Sequence, residues 1–364
     1  MTRRPLLLTC ALLAALLLTA CGEKPEDLSD ERPPTTRLSV LLDYLPNANH
    51  AGIYQARESG GFAKAGLDVD LRTPSDPATV LNQLTAGKVD LAITYEPEVL
   101  LAQAAGKDVT AVAAIVTKPL TSLISLPKAK ISKPADLRGK TVGTAGIPYQ
   151  TAYLRTILRE AGVDPSDVKQ VNVGFNLNRA LVSGRVDATL GAYWNYEGLE
   201  LERADRKPVV VPVDELGVPR YDELVLVARS RTLAEKESGV RRFVRALANG
   251  YEAVRRDPAV GTEALVKANP DLDRGLQGAA IRRTVREGAF FPAEPRRPWG
   301  WLSTDDWADY GQWMVDNALL TRPIPLDNVV TTDFLPGEGA GGEGRKSPSG
   351  AERPSQVPEG VRGP

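Results

Sequence analysis

Apolar and polar positions between residues 37 and 105 alternate between two periods. Short apolar runs at Leu38 to Asp43, Leu67 to Leu71 and Asp90 to Thr94 read as strands, while helical spacing covers His50 to Ser59, Ala78 to Ala86 and Pro97 to Ala105. Strands and helices alternating across short Gly- or Pro-punctuated joints call for a mostly parallel sheet covered by helices, an α/β class. The pattern restarts at Thr141 to Thr144. A helix from Gln150 to Ala161, a strand from Val168 to Val173, a helix ending at Val182 and a strand from Ala188 to Ala192 follow. After Ser230 the period is helical throughout, over Gly239 to Arg255, Pro258 to Ala268, Leu272 to Glu287 and Thr304 to Ala318.

One phrase occurs twice, about a hundred residues apart: Asn82-Gln-Leu84-Thr-Ala-Gly87-Lys-Val89-Asp90 and Asn178-Arg-Ala-Leu181-Val-Ser-Gly184-Arg-Val186-Asp187. A helix ending in Gly before a strand that opens on Val-Asp is one α/β unit with its C-cap visible. Each copy runs on to an aromatic and acidic cluster, Thr94-Tyr95-Glu96 and Tyr193-Trp194-Asn195-Tyr196-Glu197. The repeat predicts two similar lobes, each presenting such groups at a strand's carboxyl end, where open α/β sheets bind ligands. The apolar stretches Leu120 to Leu126 and Leu224 to Ala228 are the expected crossings. The first lobe then comprises 37–121 and a helical return, 223–336, and the second comprises 122–222.

The ends read differently. Residues 1–21 carry Arg3 and Arg4, an apolar stretch too short to span a bilayer as a mature helix, and Leu18-Thr-Ala-Cys21-Gly22, the pattern of an export signal. The tetrapeptide resembles a bacterial lipobox, which makes Cys21 the expected lipid attachment point. Residues 22–36 are charged and Pro-rich, as expected of a tether, and 337–364 have the composition of a disordered tail. Cys10 falls in the segment to be removed, so no structural disulfide is expected. A net charge of −1 provides no footprint for nucleic acid.

Candidate chemistry gathers in three places. The loop Asp43-Tyr44-Leu45-Pro46-Asn47-Ala48-Asn49-His50 holds a carboxylate, a ring, amides and the chain's one His after the first strand. Asn49 is a ligand group or the helix N-cap, and His50 touches ligand or bonds to backbone. In the second cluster Tyr193, Trp194, Asn195 and Glu197 can sandwich a planar ring and accept from its N–H groups, the alternative being internal packing. The Gly143 to Tyr149 loop opens a helix and brings Tyr149 toward the cleft. Asp222 and Glu223 precede the return crossing as a solvated turn, a hinge or a ligand contact. A lone His and the absence of Cys after Cys21 leave no cysteine nucleophile and no His/Cys metal site in the mature chain, and we find no Gly-x-Ser-x-Gly elbow. Binding is therefore expected rather than catalysis, with no catalytic residue, metal or cofactor.

Leu42 to His50, Gly61 to Val69, Leu84 to Asp90, Val173 to Leu177 and Gly191 to Glu197 together resemble the NMT1/THI5-like substrate-binding proteins of ABC importers for thiamine pyrimidine precursors. The likeness runs from about residue 37 to 320. It implies a type II periplasmic-binding-protein fold, a monomer whose lobes close on a small planar heterocycle, and delivery to a permease with its ATPase. It implies ligand contacts from Asp43, Tyr44, Asn47, His50, Tyr95 and Glu96 in one lobe and from Trp194, Asn195 and Glu197 in the other. Relatives on this scaffold take riboflavin, sulfonates or nitrate. The fungal pyrimidine synthases on the same scaffold use a Lys that binds pyridoxal phosphate and a His that is consumed. Thr94 and Glu98 stand at those positions here, and Val218 to Asp222 stands where those enzymes carry a Cys-rich run.

Overall fold

The computed structural model describes residues 35–337, so the expected signal segment, its Cys21, most of the tether and most of the tail lie outside the described residues. The chain lays down β1 (Thr36–Leu41), β2 (Leu67–Arg72), β3 (Leu91–Thr94) and β4 (Thr110–Val116). It crosses on β5 (Thr121–Ser125) and continues through β6 (Thr141–Thr144), β7 (Lys169–Asn172), β8 (Ala188–Tyr193) and β9 (Val209–Pro212). It returns on β10 (Leu224–Ala228). Two five-stranded sheets result, ordered β2-β1-β3-β10-β4 and β7-β6-β8-β5-β9. The two orders are equivalent, because in each sheet the crossing strand arrives antiparallel between the third and fourth strands. Both crossings coincide with the two apolar runs, and all five residues of each are buried.

The repeated phrase has a physical reason. In the first sheet the Asp90 amide donates to the Ser39 carbonyl at 3.1 Å while the Asp90 carboxylate accepts the Ser39 amide at 2.9 Å. In the second, Asp187 closes the same ring on Thr141, at 2.8 Å in both directions. Each Asp thus pins the incoming strand to its parallel neighbour, β3 to β1 and β8 to β6. The preceding glycines, Gly87 (φ +73) and Gly184 (φ +77), supply the left-handed residue that ends each helix.

Helices cover both sheets. In the first lobe they are α1 (Ala51–Glu58), α2 (Gly61–Lys64), α3 (Val80–Thr85) and α4 (Glu96–Ala104), and in the second α5 (Pro148–Glu160), α6 (Leu177–Ser183) and α7 (Glu197–Arg203). The return adds α8 (Ser230–Glu235), α9 (Glu237–Arg256), α10 (Pro258–Ala268), α11 (Arg274–Arg286) and α12 (Thr304–Asp316). Along α9 the buried residues Val240, Phe243, Val244, Leu247, Tyr251 and Val254 form one stripe that packs against α1 and β1. β4 was not foreseen. Its seven residues are all buried without alternation, because its outer edge is covered: Ala111 donates to Val329, Ala114 donates to Gly300, and Thr331 donates back to Ala111.

Helices α1 and α9 cross at a pair of glycines. A Cβ on Gly250 would lie 2.2 Å from the Gly52 carbonyl oxygen, and one on Gly52 would lie 2.3 Å from the Tyr251 ring. Gly250→Ala is therefore expected to destabilise the protein by about 2 kcal/mol or more, since helix backbones must separate to admit the methyl. Gly311→Ala on α12, where the new carbon meets nothing nearer than 3.9 Å, should be neutral or slightly stabilising. Denaturant unfolding of the two variants checks the contrast.

Candidate functional site

The loop after β1 is built around its own side chains. The Asn47 side chain accepts the Asn49 amide at 2.8 Å and donates to the Leu45 carbonyl, so Asn47, not Asn49, is the N-cap of a 3-10 turn, Ala48–His50. His50 Nδ1 accepts the Asn47 amide at 3.1 Å, and its Nε2 therefore carries the proton and donates to Asp43 Oδ1 at 2.8 Å. The other Asp43 oxygen accepts from the Tyr95 hydroxyl at 3.0 Å. Asp43 and His50 are thus fully engaged and buried. They orient Tyr95 and fix the loop instead of reaching into the cleft.

Between the sheets lies a small cavity of about 10 Å³. Tyr44, Asn47 and Tyr95 wall it from the first sheet's loops, and Gln150, Tyr193 and Glu197 face them from the second. Of the residues expected at a site, the structure therefore brings together Tyr44, Asn47, Tyr95, Tyr193 and Glu197. Glu197 Oε2 accepts the Tyr193 amide at 2.8 Å, and burial pushes its carboxyl up to about 7. Burial likewise pushes the Tyr95 and Tyr193 hydroxyls well above the ordinary phenol range, so both stay protonated. Tyr44 closes the mouth, its ring edge-on to Phe175 at 4.6 Å and its hydroxyl pointing to the Gly174 carbonyl at 3.5 Å.

Gln150 and Gly191 were missed. Gln150 accepts the Ala145 amide at 2.9 Å, and its side chain passes so close to Gly191 (φ +111) that a Cβ there would lie 2.3 Å from its amide nitrogen. The Gly143 to Tyr149 loop contributes to the cavity through Ala145 and Ile147, while Tyr149 packs behind it against Tyr95 and Tyr153. The signal available in the sequence was a Gln two residues into a helix that follows a glycine-rich turn.

As with Asp43, His50 and Tyr149, four further expectations are corrected. Trp194 donates to the Pro119 carbonyl at 3.0 Å and lies between Lys118 and Arg283, beside the crossing and away from the cavity. Asn195 is fully buried and donates to Asn49 and Thr284, both at 2.7 Å, joining the second lobe to the first. Glu96 accepts the Asp222 amide at 2.7 Å on the far side of the Tyr95 turn. Glu223, read first as part of a solvated turn, is fully buried and accepts from the Leu120 and Thr121 amides and from the Thr121 and Tyr221 hydroxyls. Asp222 beside it bonds to Trp307.

Comparison with known proteins places this geometry. A family model described as NMT1/THI5 like matches residues 47–260. A formylaminopyrimidine-binding protein of Halalkalibacterium halodurans is 32% identical over 325 residues, 88% of this chain and 96% of that protein. The chain belongs to the NMT1/THI5-like family. A 4-amino-5-hydroxymethyl-2-methylpyrimidine phosphate synthase of Legionella pneumophila, 26% identical over 83% of this chain and 93% of its own, also resembles this NMT1/THI5-like chain. The alkanesulfonate-binding protein SsuA of Xanthomonas axonopodis pv. citri, bound to MOPS, superposes with a TM-score of 0.63 at 18% identity, covering 83% of this chain and 99% of that one. The two-lobe periplasmic-binding-protein fold expected of the family is thus the fold observed. No helix among the described residues is long and apolar enough to cross a membrane.

Behind the first sheet's turn, the Thr94 hydroxyl donates to Glu98 Oε2 at 2.6 Å in a buried pair. Burial pushes the Glu98 carboxyl up to about 7. Its proton contributes stability that is fully present below the ordinary carboxyl value and is lost as pH rises through about 7. Glu98→Gln removes that titration, so its melting temperature should gain on the parent's between pH 5 and pH 8. Thermal melts at the two pH values decide it, and a constant difference would show that Glu98 does not titrate there.

Proposed function

We propose that this chain is the extracytoplasmic, lipid-anchored solute-binding component of an ABC importer. Its cargo, on this reading, is a thiamine-related aminopyrimidine of the formylaminopyrimidine or hydroxymethylpyrimidine type, held between the two sheets. Family membership supports the class, as does the name of the formylaminopyrimidine-binding relative. The observation that carries the ligand is the wall of the cavity. Three tyrosines offer ring faces, bordered by the Asn47 and Gln150 amides, which are themselves held in place by backbone partners. No Lys or Arg stands among the nine lining residues to meet a sulfonate or nitrate.

Glu197 sharpens the reading. An aminopyrimidine presents an amine donor beside a ring-nitrogen acceptor. A carboxylate, with acceptors alone, meets that ring nitrogen unfavourably, whereas a protonated carboxyl offers a donor beside an acceptor and matches both. The neutral acid is favoured by burial up to a pH of about 7. The cavity as it stands has room for about one water, so the lobes must part and Tyr44 must swing aside before a ring can enter. Ligand then shifts the population between open and closed forms.

Calorimetric titration with a 4-aminopyrimidine precursor, riboflavin, taurine and nitrate tests the proposal. The aminopyrimidine should bind, the others should not, and its affinity should fall as pH rises through about 7. Glu197→Gln, which keeps a donor beside an acceptor, should retain affinity and abolish the pH dependence, while Glu197→Ala should lose roughly 10- to 100-fold. Binding of taurine in place of the pyrimidine would overturn the ligand assignment. For the anchor, Cys21→Ser should move the exported protein from the detergent-rich to the aqueous phase in a partitioning assay.

A further inference from the structure

A larger pocket, about 450 Å³, opens beside the crossing, and it shares no lining residue with the cavity between the sheets. It is bounded by the end of β4, by Pro219 to Asp222 at the approach to β10, and by the return segment from Pro292 to Tyr310. Glu96 lines it. This residue is 1% exposed, and although Oε2 accepts the Asp222 amide, Oε1 has no hydrogen-bond partner. A buried carboxylate oxygen without a donor is costly and marks a place that wants an N–H. Asp222, Asp306 and Asp309 add acceptor groups around the same space, while Glu294 is paired with Arg297 at 3.2 Å and Arg220 is the one cation in the lining itself.

Tyr221, Tyr310 and Trp301 contribute aromatic surface to the lining, beside Thr117, Ser303, Ala293 and two prolines. The Arg297 guanidinium lies 3.9 Å from the centroid of the Trp301 ring, so the chain itself shows that ring accepting a flat cation. An anion finds too few donors here. Among the described residues no group of three or more acidic, His or Cys side chains is placed to hold a metal ion. A planar cation with parallel N–H donors satisfies both features at once, forking onto a carboxylate while its faces rest on rings.

We propose that this pocket is a second binding site, for a small flat organic cation of the amidinium or guanidinium class, with Glu96 as its principal anchor. The state of Glu96 and Asp222 agrees with it. Burial raises both carboxyls, Asp222 to about 7, and the Asp222 charge raises Glu96 further, a cost that a bound cation would relieve. The site is separate from the cleft, since the turn after β3 sends Tyr95 to one cavity and Glu96 to the other.

The test is calorimetric titration of the full chain with benzamidine, a flat amidinium, and with benzamide, its neutral isostere. Benzamidine should bind saturably at one site, benzamide should bind about tenfold or more weakly, and Glu96→Gln should weaken benzamidine by a similar factor. Where Glu96→Gln does not fold, the exposed rim variant Asp306→Asn serves, with a loss of about threefold or more expected from its charge. No saturable benzamidine binding, equal binding of benzamide, or unchanged affinity in the folded variants would overturn the site. None of these outcomes depends on the ligand of the cleft.

Discussion

The relation between the two lobes depends on one buried carboxylate. Glu223 stands at the foot of β10 and accepts two amides and a hydroxyl from Leu120 and Thr121, where β5 begins, and another hydroxyl from Tyr221. Three hydrogen bonds to one side chain join the two crossings there, and the Tyr221 hydroxyl adds a fourth from the same segment. Two amides in a buried turn would otherwise lack partners, and a buried carboxyl would otherwise lack donors, so each satisfies a cost the other could not avoid. Burial still raises the Glu223 carboxyl above its ordinary value, and the four donors oppose that shift. The crossings into and out of the second lobe are pinned to each other at this point.

Around that junction, the closed arrangement is held by contacts from lobe to lobe that lie beside the cleft. Asn195 reaches Asn49 and Thr284, the Tyr153 and Tyr310 hydroxyls bond to each other, and Tyr44 leans on Phe175. A ladder of rings, Tyr95, Tyr149, Tyr153, Tyr221 and Tyr310, runs from the cleft wall to the junction with centroids between 5.0 and 5.8 Å apart. Of these groups only Tyr44 and Tyr95 also line the cavity. On the proposed reading they would bias the balance between open and closed forms, and the cavity residues would select the molecule that shifts it.

Much of this was legible in the chain. The Gly-x-Val-Asp repeat marked both sheets because the same Asp ring and the same left-handed glycine recur in each. Both crossings were legible as apolar runs because they are buried on every side. β4 was not, since an apolar run such as Ala111 to Val116 is compatible with a buried helix or a strand, and what decides is an edge partner far along the chain, at Val330. The loop after β1 was read correctly as a concentration of polar groups, but its Asp43 and His50 are consumed by each other and by Tyr95. Composition shows that donors and acceptors are present. It does not show which of them are already paired.

The least legible distinction lies between neighbours in sequence. Tyr95 and Glu96 are adjacent, as are Tyr193 and Trp194, yet one member of each pair lines the cleft and the other does not. Each pair sits where a strand ends. Successive side chains of a strand point to opposite faces, so one residue inherits the cleft and the next is turned away from it. In the first lobe the residue turned away meets the crossing and the return segment, which together enclose the larger pocket. An aromatic beside an acid at such a turn therefore serves two surfaces, and only the packing of elements far along the chain determines which surface each will meet.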